Sequence, residues 1–462
     1  MLFHSFAFLC LFVAAFGIYW SLRDHRLRML CLLAASIIFY AFWSPWYLLV
    51  IFASTSVDYM VALKMAALQA QRLRKILLWL SLSVNLGLLA FFKYGNFLTI
   101  NFLNLVGSER AAPVFHVVLP LGISFYTFEA ISYVVDVYRR RIEPVRNPAD
   151  YALFILFFPH LIAGPIVRPG FFFPQVRRQK RFDWIRIQLG CELFLRGLFK
   201  KAVIADHLAA AVDPVFADPA SFASRAIWWA VVCYTVQIYC DFSGYSDMAI
   251  GLAHSFGFKL PVNFRMPYLS LDISEFWRRW HITLSSWLRD YLYFPLGGSR
   301  EGRLKTYRNL LLTMTLGGLW HGAGWTFVFW GFYHGTLLSI NRALRGRVGL
   351  PRMLAGLLTL LAVSVGWVFF RADSFSTALT VLTRMFVPAD GRIQDGMLLI
   401  GAASLILIVC VGHAIGAGIF GKFIRLGRIL PAPAWGVAMA TTFVIAQLLM
   451  PDDGKLFIYF QF

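Results

Sequence analysis

The stretch "GGLWHGAGWTFVFWGFYHG", Gly317 to Gly335, reads as membrane-spanning sequence, yet it carries two histidines, His321 and His334. An imidazole in hydrocarbon has to be hydrogen-bonded, face a cavity or take part in chemistry. The rest of the chain sets the context. It has 462 residues, of which 59% are hydrophobic and 14% charged, and a mean hydropathy of +0.66. Soluble domains carry about 25% charged residues. The apolar residues also fall in long uninterrupted runs, which points to a polytopic, all-α integral membrane protein.

A span needs about 20 predominantly apolar residues. Such segments fall at 2–21, 29–44, 46–66, 76–96, 117–138, 226–253, 307–340, 353–370, 396–420 and 434–450. The N-terminus has no basic leader and runs directly into the first of them, which is expected to be retained and not cleaved as a signal. The net charge of +20, from 43 Lys and Arg against 23 Asp and Glu, collects in short clusters between the apolar runs. That is the positive-inside pattern of a membrane protein lying in a lipid bilayer, and it gives no support to nucleic-acid binding. Placing "RDHRLR" (23–28), "QRLRK" (71–75), "RRRIEPVR" (139–146), "RALRGRVGLPR" (342–352) and "KFIRLGR" (422–428) on the cytoplasmic side gives one consistent alternation. Both termini are then expected on the periplasmic side of a bacterial inner membrane.

Residues 151–206 break the regularity. "LFFPHLIAGPIVRPGFFFPQ" holds Pro159, Pro165, Pro169 and Pro174, which an ordinary span would not tolerate; a re-entrant hairpin is expected, with its backbone satisfied by protein or water. The following "RRQKRFDWIRIQLGCELFLRGLFKK" is basic and amphipathic and suggests an interfacial helix. No low-complexity linker or repeat divides the chain, so a single domain over 1–462 is expected, with the chemistry in about 151–345. The six cysteines have apolar neighbours and no CxxC or Cys/His spacing. They read as small core residues, with neither a disulfide framework nor a metal site expected.

The densest polar region runs from Gln237 to His334. In "QIYCDFSGYSDMAIGLA", Asp241 and Asp247 are costly at membrane depth and call for partners or water, with Tyr245 and the serines beside them. Internal hydrogen bonds around Gly244 are one reading, and direct catalysis the other. In "ISEFWRRWHITLSSWLRDYLYFPLGG", helical spacing puts Trp277, Trp280, His281, Leu284, Trp287, Leu288 and Tyr291 on one face and Arg278, Ser285 and Arg289 on another. Such an arginine edge suits phosphates, of lipid or of a nucleotide-bearing donor. His281 is then a satisfied structural imidazole, a substrate orienter or an acid/base partner. In the opening stretch, Gly317, Gly318, Gly322, Gly324 and Gly331 leave little bulk around His321, with Trp320, Trp325 and Trp330 as walls. Small-residue helix packing explains such glycines; a channel beside an ionisable ring is the functional alternative. Histidine titrates near neutrality and can take a hydroxyl proton, so a membrane enzyme with a histidine base stands against a transporter with a protonatable histidine.

"WRRWHITLSSWLRDYLYFPLGG" followed by "RNLLLTMTLGGLWHGAGWTFVFWGFYHG" closely resembles the membrane-bound O-acyltransferase (MBOAT) family. Within that family the likeness is to the bacterial branch typified by the membrane subunit of alginate O-acetyltransferase. It extends over "FFPHLIAGPIVRPGFFFPQ", "QIYCDFSGYSDMAIGLAHSFGFKLPVNF" and the terminal "FIYFQF", and so over essentially the whole chain. The resemblance implies helices around a transmembrane tunnel, with the family's invariant histidine at His321 and its second polar position at His281. It further implies an acyl group taken from a cytoplasmic thioester, acetyl-CoA, with no permanently bound cofactor. Acetyl is then passed outward to an exopolysaccharide such as alginate, with a periplasmic SGNH-type acetyltransferase as partner. Trp277, Arg278, Trp320, Trp325, His334, Asp241 and Tyr245 are the residues expected to line the tunnel or touch substrate.

Overall fold

A computed structural model describes residues 1, 3–107, 118–347, 349–415 and 430–451, with side chains at 414 and 415 excepted. The basic cluster at 422–428, the terminal "FIYFQF" and residue 117 of the fifth expected span lie outside them. All the regular elements described are helical, and an isolated bridge joins Phe222 to Arg392. The chain divides into two compact units, residues 1–191 with 248–261, and residues 192–247 with 262 onward.

The first unit contains α1 (Phe6–Ser21), α2 (His25–Ala41), α3 (Pro45–Ala67), α4 (Gln71–Leu89), α5 (Gly95–Leu105), α6 (Ile123–Tyr138), α7 (Pro148–Leu156), α8 (Phe158–Leu161), α9 (Pro169–Arg177) and the start of α10 (Trp184–Leu198). The helix starts are written in the sequence. Ser5, Asp24 and Asn147 accept the Phe8, Leu27 and Ala149 amides that would otherwise lack partners at the first turns of α1, α2 and α7. A π-helical turn at Ala90–Tyr94 joins α4 to α5, so Gln71–Leu105 is one apolar rod of 35 residues. At 1.5 Å per residue it is roughly 50 Å long, more than the thickness of a bilayer core. Two buried charged residues of this unit have partners within it. Asp58 of α3 accepts from Ser81 and from Asn85 Nδ2 at 2.9 and 3.0 Å. Arg74 of α4 caps the C-terminus of α6 by donating to the Val137 and Tyr138 carbonyls at 3.3 and 2.8 Å.

The proline-rich segment of this unit is short helices around a buried extended stretch. Pro159 and Pro169 sit in the first turns of α8 and α9, where a missing N–H costs nothing. Between them the chain is held from α6: Glu129 Oε1 accepts the Val167 amide at 2.8 Å and lies 3.1 Å from His160 Nδ1. The sequence pointed to a re-entrant hairpin with its backbone satisfied by protein or water, and here the Val167 amide is satisfied from a different element.

The second unit holds the end of α10, a π-helical turn at Phe199–Ala205, α11 (Asp206–Ala217), most of α12 (Ser224–Ser255), α13 (Ile273–Arg279), α14 (Ile282–Leu288), α15 (Arg303–His321), α16 (Trp325–Leu344), α17 (Arg352–Arg371), α18 (Phe375–Phe386), α19 (Gly396–Ile415) and α20 (Ala432–Leu448). Its core packs Trp280, Trp330 and Trp367, all fully buried, with residues of α11, α12 and α17. On α19, by contrast, Met397, Ile400 and Leu407 are exposed, the inverted surface of a helix made for lipid.

Among the described residues, four helices are long and apolar enough to cross a membrane: Pro45–Ala67, Gln71–Leu105, Arg352–Arg371 and Gly396–His413; Phe6–Ser21 and Ala432–Leu448 are shorter apolar helices. Three expectations need correction. The span at 307–340 is a hairpin, in which α15 ends at His321 and α16 begins at Trp325. The helix expected through Trp277–Tyr291 is two short helices broken at Trp280–His281. The basic residues at the end of α10 do not form a free interfacial edge. Arg196 Nη2 and Lys200 Nζ reach Asp247 at 2.7 and 2.8 Å, and Lys201 Nζ reaches Asp241 and Asp206 at 2.6 and 2.7 Å. A buried carboxylate without a counter-charge is costly, and these cations supply it. Of the cysteines, Cys233 and Cys240 are buried as expected, whereas Cys10 and Cys410 are exposed.

Candidate active site

His321 is the last residue of α15, and the glycines around it build the hairpin. A Cβ at Gly318 would fall 2.2 Å from the Phe327 carbonyl oxygen, and one at Gly331 would fall 2.2 Å from that of Met314. Only glycine lets the two backbones approach this closely. The Phe327 ring fills the space beside Gly322, 2.2 Å from where a Cβ would stand. Close packing therefore accounts for Gly318, Gly322 and Gly331, the first of the two readings the sequence allowed. Aromatic rings enclose the imidazole: Trp320 at 4.9 Å between centroids, Trp330 at 5.0 Å and Phe370 at 5.3 Å. Trp325, expected as a third wall, is 55% exposed at the start of α16, and Phe370 of α17 takes that place.

His281 is fully buried. It precedes α14 with φ 41° and ψ 54°, a left-handed conformation that costs a β-carbon residue about 1–2 kcal/mol. Such strain at a buried polar residue is typical of a working site. Its ring lies edge-on to Phe242 at 4.6 Å and 6.4 Å from His321, centroid to centroid. Its Nδ1 is 3.1 Å from Asn263 Oδ1, which also accepts the Thr283 amide and hydroxyl at 3.2 and 3.0 Å. Sequence reasoning did not single out Asn263. The available signal was an asparagine inside the apolar "LPVNF" segment, 18 residues before the histidine it serves.

The remaining candidates separate. His334 of α16 is fully buried, with Trp330 at 4.8 Å and Trp277 at 5.2 Å. The Trp330 indole thus touches both His321 and His334. Asp241 is paired with Lys201, which supports its reading as an internal structural charge. Tyr245 is buried on α12, and Arg278 is exposed on α13. Among the described residues no three His, Cys, Asp or Glu side chains group as metal ligands would.

The site is therefore two buried imidazoles in an aromatic enclosure, one at a helix end and one on a strained turn. The arrangement can accept a proton and exclude water. Residues 74–369 match the model of the membrane-bound O-acyltransferase family. The chain belongs to that family. It is 46% identical to a protein named probable alginate O-acetylase AlgI from Azotobacter vinelandii, over 86% of this chain and 80% of that one. The same name and identity hold for a Pseudomonas aeruginosa protein, over 84% of this chain and 75% of the relative. A Helicobacter pylori protein named peptidoglycan O-acetyltransferase is 43% identical over 77% and 73% of the two chains. The MBOAT chain described here is thus an O-acyltransferase of the membrane, and its all-helical fold agrees.

Proposed function

We propose that this MBOAT protein moves acetyl groups from acetyl-CoA at the cytoplasmic face of the inner membrane outward, for O-acetylation of an exopolysaccharide of the alginate kind. The observation carrying the reading is the buried His321–His281 pair on a chain nearly half identical to proteins named alginate O-acetylases. In the step assigned to His321, a ring nitrogen takes the proton of an acceptor hydroxyl. The freed oxygen attacks the thioester carbonyl carbon, the carbon–sulfur bond breaks, and the thiolate leaves and is protonated. His281 orients the reacting groups, and Trp320, Trp330 and Phe370 keep water from the thioester. A relay through an acyl-imidazole on His321 uses the same residues. A periplasmic SGNH-type acetyltransferase is the partner that would finish transfer to the polymer.

The experiment is complementation of a strain lacking this gene, with polymer acetyl content measured at matched protein levels. Wild type restores acetylation and His321→Ala does not; restoration by His321→Ala would refute the assignment. A second reading, with a cell-wall polymer as acceptor, has support from the relative named peptidoglycan O-acetyltransferase. Acetyl release from purified exopolysaccharide and purified cell wall of the same strain separates the two.

A further inference from the structure

Asn263 makes contacts that go beyond filling a place in the core. It is 1% exposed, in the extended segment that runs alongside the break between α13 and α14. Its backbone carbonyl accepts the Ile282 amide at 2.9 Å. Its side-chain oxygen accepts the Thr283 amide, the Thr283 hydroxyl and the ring N–H of His281. Its side-chain nitrogen donates to Ser246 Oγ of α12 at 3.4 Å. The backbone amide of Thr283 can only donate, so the atom it meets must be the amide oxygen of Asn263. The same oxygen faces His281 Nδ1, so Nδ1 must carry a hydrogen. In a neutral imidazole that leaves the lone pair on Nε2.

We infer that Asn263 is the positioning residue of this site: it clamps the left-handed turn at His281 and holds the ring as its Nδ1–H tautomer, making Nε2 the nitrogen that accepts hydrogen bonds or protons during acyl transfer. The inference rests on the reading of His281 as a member of the reacting pair. An amide suits the task better than a carboxylate would. It fixes the same tautomer, as an orienting acid does for a catalytic histidine, without a charge that would hold the ring as imidazolium. Four rings pack on His281 from neighbouring elements. Phe242 comes from α12, Phe264 from the Asn263 segment, and Trp320 and His321 from α15. The carboxylates of α12, Asp241 and Asp247, are held by Lys201 and by Arg196 with Lys200.

The test has two arms, both on full-length protein in lipid nanodiscs. In the first, histidine-selective 15N labelling, with His281 identified by comparison with His281→Asn, reports which ring nitrogen is protonated. Nδ1–H with a bare Nε2 is expected in the wild type, a mixture of tautomers in Asn263→Ala, and an imidazolium persisting to higher pH in Asn263→Asp. A proton on Nε2 in the wild type would overturn the inference without need of any Asn263 variant. So would an unchanged tautomer in Asn263→Ala. In the second arm, thiol release from acetyl-CoA is followed against pH. Asn263→Asp should move the acidic limb to higher pH and recover activity in alkali. Asn263→Ala should lower kcat at least ~10-fold with little change in KM. A wild-type profile in Asn263→Asp counts against the clamp. Full turnover by His281→Ala, with Nδ1–H found in the wild type, would remove His281 from the reaction and overturn the role given to Nε2.

Discussion

The His281 and His321 rings stand 6.4 Å apart between centroids, tilted by 58°. In the best orientation their nearest nitrogens remain roughly 4 Å apart, beyond hydrogen-bond range. The pair is therefore not a directly bonded dyad. The separation leaves room for one bridging atom, such as the oxygen of a hydroxyl shared between both rings.

From this separation come unequal effects of substitution. His321→Ala is expected to lower polymer acetylation at least ~10²-fold, the scale of a lost acid/base group, at near-normal protein yield. His281→Asn should retain measurable activity for two reasons. Asparagine keeps a hydrogen-bonding side chain, and it tolerates the left-handed backbone found at this position. His281→Ala lacks both and should be worse. The double variant should be no worse than His321→Ala, because losses within one catalytic unit do not add. The check is acetyl content per unit of protein; equal inactivity of His281→Asn and His321→Ala would favour acid/base duty for both rings.

Asp241 should behave differently from either histidine. Its carboxylate faces Lys201 Nζ at 2.6 Å, with Asp206 on the same ammonium at 2.7 Å. Asp241→Asn leaves Lys201 with Asp206 as its one carboxylate partner at this site and weakens a buried charge-assisted contact, which costs about 1.5–3 kcal/mol. The expected result is a lower thermal midpoint and reduced detergent-extracted yield, measured by fluorescence-detected size exclusion after heating. A fully folded but inactive Asp241→Asn protein would move this residue into the chemistry.

The hairpin of α15 and α16 offers a sharper packing test. Gly331→Ala places a methyl 2.2 Å from the Met314 carbonyl oxygen, so the helices must separate and carry His321 and Trp330 with them. Loss of both folded yield and activity is expected. Gly401→Ala on α19 meets nothing within 4 Å and should be neutral or slightly stabilising, since alanine is the better helix former.

These predictions also mark where the sequence was readable. Apolar run length and the basic clusters located the helices, because one-dimensional hydropathy is what a bilayer selects. His321 stood out because an ionisable ring in "GGLWHGAG" has no bland local explanation. The fold at His281 was not legible: Trp277, Trp280, Leu284 and Trp287 continue at helical spacing straight across it. The break is imposed from outside, by the Asn263 contacts to 281–283. The partners of Asp241 and Asp247 lie 40 to 51 residues upstream, and a π-helical turn at Phe199–Ala205 accompanies Lys200 and Lys201 there. Long-range pairing of this kind leaves no periodic trace. The glycines left two readings open, for small residues next to a histidine signal close approach without saying whether helix or ligand makes it.

The last prediction concerns direction across the membrane, on which the outward transfer of acetyl depends. Arg74 lies in the proposed cytoplasmic cluster at 71–75, but it is buried and donates to the Val137 and Tyr138 carbonyls. A cysteine there would be shielded and would uncap α6. Arg72 and Arg141 are exposed in the same proposed cytoplasmic loops, and Asn104 is exposed near the far end of the Gln71–Leu105 rod. Ser108 and Lys455, natural choices from the sequence for the opposite side, lie outside the described residues. In a background with all six native cysteines replaced, Arg72→Cys and Arg141→Cys should be blocked in intact cells only by membrane-permeant thiol reagents. Asn104→Cys should be blocked by an impermeant one. The six replacements matter, because Cys10 and Cys410 are exposed and would react by themselves. The inverse labelling pattern would reverse the proposed orientation and put the acetyl donor on the wrong side for export.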